Sequence, residues 1–119
     1  MATSIKHEVH GQIRIKGEPI EFLGDETLHV AIRDSLRYDT ECIELGSRSI
    51  RLTAGQMMPL NYRCYYDPNK AHMKFEQIKT IPGGITLTAF IERNDQLLFV
   101  NTTDLSLADF VDIELVRVE

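Results

Sequence analysis

Apolar and polar residues alternate along most of this chain, and the cleanest alternation lies between Ile85 and Thr102. Ile85, Leu87, Ala89 and Ile91 fall on one side of an extended segment, and Thr86, Thr88, Phe90 and Glu92 on the other, the period-two signature of a half-buried strand. Asn94-Asp95 follows, two residues that tolerate the positive φ of a tight primed turn. A two-residue turn sets Arg93 opposite Gln96, Ile91 opposite Leu98 and Ala89 opposite Val100. On the reverse face it sets Phe90 opposite Phe99. This register predicts that Leu87, Ile91, Leu98 and Val100 form the centre of the core.

The same reading applies to the rest of the chain. Ile5, His7, Val9, Gly11, Ile13 and Ile15 face one way and Lys6, Glu8, His10, Gln12, Arg14 and Lys16 the other, predicting a first strand with one wet face. Gly17-Glu18-Pro19 ends it, and Leu28, Val30 and Ile32 point inward from a second strand. Cys42–Leu45 and Ile50–Thr53 read as two short strands, or as one strand interrupted at Gly46-Ser47. Met58, Leu60, Tyr62, Cys64 and Tyr66 alternate against Asn61, Arg63 and Tyr65. Asp67-Pro68-Asn69-Lys70 is a turn with proline second. Between Ala71 and Ile81 the anchors are Phe75 and Ile78, and after Leu105–Phe110 a last strand runs from Val111 to Val118. No 3.6-residue period persists beyond two turns. Seven to eight short strands with turn signals between them predict an all-β fold, an antiparallel β-sandwich, in a single domain over residues 1–119.

The order and spacing of these features resemble the YbaY/YscW family of bacterial lipoproteins, whose YscW-type members are pilotins or lipoprotein chaperones of type III secretion. The matching residues begin with Val9-x-Gly11-x-Ile13 and Leu28-x-Val30-x-Ile32-x-Asp34-Ser35. They continue through Gln56, Pro59 and Tyr66-Asp67-Pro68. The hairpin follows, with Leu87-x-Ala89-x-Ile91, Asn94-Asp95, Leu97 to Phe99 and Thr102, and Leu115-Val116 fits the last strand. The match covers about residues 9 to 118. It implies a small β-sandwich that binds protein rather than catalysing a reaction. The sequence as given opens on MATSIKHEVH, with no apolar leader and no N-terminal lipidation cysteine, so the expected location is cytoplasmic.

Composition narrows the partner. The 119 residues carry a formal charge of −5, with a pI near 5.3, which disfavours nucleic acid, whose phosphates are met by clustered Lys and Arg. No window approaches 18 apolar residues, so no membrane insertion is expected. His7 and His10 fall on opposite faces of one strand, and His29 and His72 lie elsewhere; zinc needs three or four convergent ligands, so no metal site is expected. Cys42 and Cys64 form no CxxC pair and read as unpaired thiols, Cys64 on an inward face. No serine sits in a G-x-S-x-G elbow, and no glycine loop carries the Lys and Ser/Thr of a phosphate cradle. Asn101-Thr102-Thr103 is a sequon inside a strand and is read as chance. No enzyme activity and no cofactor are expected.

What remains is protein binding. Arg63 and Tyr65 are of the residue types enriched at interface hot spots, while Tyr62 and Tyr66 read as core. Phe90, Phe99 and neighbouring Leu97 form either a contact patch or a satellite core closed by Leu105, Leu107 and Phe110, which need somewhere to go. The expectation is thus a non-enzymatic protein-binding or assembly accessory, attached to a secretion apparatus or a cytoskeletal filament. Strand edges offer a route to homo-oligomers. The alternative is a carrier of a small apolar ligand, which requires a cavity of several hundred Å³.

Overall fold

The computed structural model describes residues 7–17, 21–34, 43–71, 75–78, 80–81, 84–101 and 105–118. The fold is all-β, with eight strands: β1 (Glu8–Ile15), β2 (Glu26–Asp34), β3 (Ile43–Arg51), β4 (Leu60–Tyr65), β5 (Ile85–Arg93), β6 (Gln96–Val100), β7 (Leu105–Ser106) and β8 (Ile113–Arg117). One helical turn, α1 (Phe75–Ile78), buries Ile78 in the core. Asp67 caps a 3-10 turn at Pro68–Lys70, its side chain accepting from the Asn69 N–H at 2.9 Å.

Seven strands follow one path, β3-β2-β5-β6-β8-β1-β4, with β7 paired to β5. Most pairs are antiparallel, but β8 runs parallel to β1, Ile13 opposite Ile113 and Ile15 opposite Leu115. The path curls so far that its two end strands nearly meet. Leu45 of β3 accepts a hydrogen bond from the Asp67 N–H at 2.9 Å. Gly46 lies so near β4 that a Cβ there would sit 2.0 Å from the Tyr65 carbonyl oxygen, so only glycine allows this approach.

The alternations read from the sequence place the core well. Val9 and Ile13 from β1, Leu28, Val30 and Ile32 from β2, Leu60, Tyr62 and Cys64 from β4, and Leu87, Ala89 and Ile91 from β5 are buried together. The segment from Cys42 to Thr53 holds one strand, not two. It passes Gly46-Ser47 by a bulge at Leu45, where the register with β2 shifts between Ile32 and Arg33. Gly11 allows another close approach. Residues 109–112 cross beside it, the Val111 carbonyl lying where a Cβ would be, and the Tyr62 hydroxyl, opposite Gly11 in the ladder, donates to that carbonyl at 2.5 Å.

The hairpin turn forms as expected, with positive φ at both Asn94 and Asp95. Its register does not continue as expected. Arg93 faces Gln96 and Glu92 faces Leu97, but a bulge at Leu98 then sets Phe99 opposite Ile91 and Val100 opposite Phe90. Each residue beyond the bulge changes face, because side chains alternate strictly along a strand. Phe99 therefore enters the core at 3% exposure, edge-on to Phe22 with ring centroids 6.4 Å apart. Leu98 and Val100, expected at the core centre, are only half-buried.

Replacing Phe99 with Ala should remove about 3–5 kcal/mol of stability, a large share of the roughly 5–15 kcal/mol of a domain this size. Leu98→Ala should cost less than half as much. Urea denaturation of both variants checks the order, and a larger loss for Leu98→Ala would return that residue to the core centre.

Candidate protein-binding surface

The structure divides the five candidate contact residues. Phe99 is core and offers nothing to a partner, since the Leu98 bulge turns it inward. Phe90 is half-buried on the outer face, stacked on His29 at 4.7 Å between ring centroids. Leu97, 42% exposed, lies opposite Glu92 on that face. Arg63 and Tyr65 project outward from β4 while Tyr62 and Cys64 point in, and Tyr65 is 48% exposed. The two sets are not brought together, because β3 and β2 separate β4 from β5 in one direction, and β1, β8 and β6 in the other. The segment Leu105–Phe110 does not make the expected satellite core. Phe110 instead stands 57% exposed with its edge toward the His10 ring, 5.1 Å between centroids.

Phe110 belongs to a feature that residue types alone did not reveal. The edge strands β3 and β4 touch at Gly46 and Tyr65, yet no backbone ladder joins them further along. There the seam opens into a groove of about 540 Å³ lined by Arg48 and Ile50 of β3, Tyr62 and Arg63 of β4, and His10 and Phe110, among others. Arg63 reaches Glu8 at 3.4 Å, an exposed pair. Each edge strand is hydrogen-bonded on one side only, so alternate residues turn their N–H and C=O groups toward the seam. A smaller cavity of about 320 Å³ lies over Phe22 and Phe99, between Arg93 and Arg117. Both are surface grooves with polar groups in their walls, unlike the enclosed apolar cavity of a carrier.

Three polar arrangements invite a chemical reading. Ser49 Oγ lies 2.8 Å from His29 Nδ1, and His29 Nε2 lies 2.7 Å from Glu92 Oε1, a serine–histidine–carboxylate chain across three strands. It lies on the outward face of a sheet, where backbone N–H groups run in the sheet plane and cannot converge on an oxyanion above Ser49. Its effect is to hold the His29 ring flat against Phe90. Glu26 is 1% exposed. Its carboxylate accepts from the Leu23, Gly24 and Asp25 N–H groups at 2.9–3.2 Å and from Arg93 Nη2 at 2.6 Å. Burial pushes this carboxyl up, but those hydrogen bonds outweigh burial and bring it down to about 2. With every lone pair engaged, Glu26 is a clamp between the 21–26 loop and the end of the hairpin, not a base. Burial pushes the Cys64 thiol up to about 11 and the Tyr62 hydroxyl still higher. Neither is a nucleophile at neutral pH. Cys64 is a free thiol; Cys42 and His72 lie outside the described residues.

Among the described residues no three His, Cys, Asp or Glu side chains gather as a metal site, and no helix is long and apolar enough to cross a membrane. Comparison with known proteins then defines the fold class more sharply. No protein-family model matches the chain, and no curated protein matches it in sequence. A solved structure does resemble it: an alternative pilotin of the type II secretion system of Vibrio cholerae, at a TM-score of 0.76 and 17% identity, covering 97% of this chain and 99% of that one. The fold is that of this pilotin, over essentially its whole length.

Glu26 makes the protein acid-sensitive in a defined window. Its folded pKa of about 2 lies below the ordinary 4.5, so its contribution is complete above about pH 4.5 and is lost as pH falls toward 2. Glu26→Gln should destabilise the protein by about 1.5–3 kcal/mol at pH 7, with the difference from the parent shrinking between pH 4.5 and 2. A pH-independent gap in chemical melts would refute the clamp. At pH 8, iodoacetamide should label Cys64 more than about a hundredfold more slowly in the folded protein than in denaturant. Intact-mass spectrometry follows both, and equal rates would mean that the thiol is open to solvent.

Proposed function

We propose that this chain is a non-enzymatic accessory protein that binds another protein during assembly of a secretion apparatus, with the pilotin-like role that the YbaY/YscW resemblance also implies. The observation that carries the reading is the end-to-end likeness to a type II secretion pilotin, 97% and 99% of the two chains at a TM-score of 0.76. Two features of this chain support it. Its surface offers exposed anchors of the types used at protein interfaces, Tyr65, Phe110 and Leu97. Its polar chains are closed on themselves, as at Glu26, or lie on open sheet, as at Ser49. The partner is a protein, and the acidic chain, at −5, is a poor match to nucleic acid. The small-ligand carrier is the weaker reading, because the space between the strands is filled by side chains such as Leu87, Ile91 and Phe99.

Crosslinking in the native source, followed by affinity capture and mass spectrometry, tests this. Enrichment of a secretion-apparatus component, lost from the capture when the chain is denatured beforehand, is the expected result. Recovery of only metabolic enzymes, or of no protein above background, would refute it.

A further inference from the structure

The seam between β3 and β4 is an unusual place to leave open. An exposed strand edge templates pairing with other chains, and most folds cover, twist or shorten theirs. Here two edges face one another across a wedge, closed at Gly46–Tyr65 by contact and at Leu45–Asp67 by a hydrogen bond of 2.9 Å, and open beyond. Among the described residues each side of the wedge is a strand edge with no ladder partner, and two arginines stand beside them.

In a chain with 18 Asp and Glu against 13 Lys and Arg, two arginines, Arg48 and Arg63, line the wedge and no carboxylate does, although Glu8 beside it pairs with Arg63 at 3.4 Å. Arg48 is exposed and makes no ion pair among the described residues. Arg63 lies directly opposite His10 in the β1–β4 ladder, so both side chains stand on the same side. Apolar contacts are spaced between them, Ile50 on the β3 wall and Phe110 beside His10.

From this juxtaposition we propose that the β3–β4 seam takes an extended acidic segment of a protein partner, which adds to the sheet as a strand. Its backbone pairs with the free edges. Its carboxylates meet Arg48 from one face of the added strand and Arg63 from the other, and its apolar side chains rest on Ile50 and Phe110. Main-chain pairing supplies affinity and the side-chain pockets supply selection, the usual division in strand addition. The inference rests on the protein-binding reading above and names the chemistry of the partner that the reading leaves open.

A random dodecapeptide library displayed on phage, selected against the full chain, is the direct test. Enriched peptides should carry two or more Asp or Glu among β-branched or aromatic residues, with at least one acid on each face of the strand and no interior proline. Measured by fluorescence anisotropy, an enriched peptide should lose at least about tenfold in affinity against R48E/R63E, weaken with added salt, and fail to bind when alternate backbone amides are N-methylated. A thermal melt establishes that R48E/R63E is folded, and R48Q/R63Q, expected to lose less, serves if it is not. Enriched peptides without acidic residues, equal binding to the variants, tolerance of N-methylation, or no enrichment would overturn the proposal. So would a concentration-dependent dimer abolished by R48E/R63E, which would put a second copy of this chain in the seam. If the cellular partner is captured equally by parent and R48E/R63E, the seam assignment fails and the accessory role stands. If no secretion component is captured while acidic peptides still bind the seam, the accessory role fails and the seam assignment stands.

Discussion

The bulge at Leu98 is the constraint on which the sheet depends. Before it, β6 copies the register of the turn; after it, Phe99 faces inward and Val100 outward. That change of face gives β8 its place, with Val116 beside Val100 and Arg117 beside Phe99, where the guanidinium lies 5.7 Å from the ring centroid. Through β8 the sheet reaches β1 and then β4. Without the extra residue, Phe99 would face water and Leu98 would take the buried position beside Ile91. The inner surface would lose its aromatic contact with Phe22. A bulge also bends and twists its strand, consistent with a path that curls until its ends almost touch.

Much of this could be read from residue types, and the part that could not has a common cause. Strict alternation marked β1, β2, β4 and β5, because a half-buried strand writes its two faces directly into the sequence. Asn94-Asp95 marked the turn, since few residues accept positive φ at both positions. The bulge at Leu98 left no such mark, since leucine suits a regular strand equally well, whereas the one at Leu45 falls beside the interruption read at Gly46-Ser47. One unmarked residue was enough to send Phe99 from the surface to the core. Pairings made late in the sequence were equally silent. Nothing in Ile113 to Arg117 says that this strand lies parallel to β1, and nothing in Phe110 says that it stands beside His10. The candidate surface suffered most, because exposure is decided by neighbours distant in sequence. Arg63 and Tyr65 kept their outward positions because plain alternation set them, and Arg48 acquired its importance only when β3 met β4.

Charge is distributed with the same economy. The buried Glu26 is stabilised by three backbone donors and Arg93, which also meets Asp25 at 2.8 Å. The ion pairs at that end of the sheet are satisfied internally and lock the loop before β2 to the tip of the hairpin. At the β3–β4 seam two arginines line the groove, Arg63 paired with Glu8 beside it and Arg48 in no ion pair among the described residues. An acidic molecule that leaves cations together beside unpaired edges has a surface with a polarity of its own, distinct from its overall charge.

The parallel pairing of β1 with β8 has a consequence for how the molecule is made. Gln12 hydrogen-bonds to Asp112 across a sequence separation of 100 residues, and the ladder that continues from it is what unites the β1–β4 pair with the rest of the sheet. During synthesis β1 emerges well before β8. The hairpin of β5 and β6 can close as it leaves the ribosome, but the join between the two halves must wait for β8. Such distant contacts slow folding, and throughout that interval β1 and β6 each expose an edge to the crowded cell. The nascent chain thus keeps both edges open until β8 emerges, and a ribosome stalled short of Ile113 would hold it in that state.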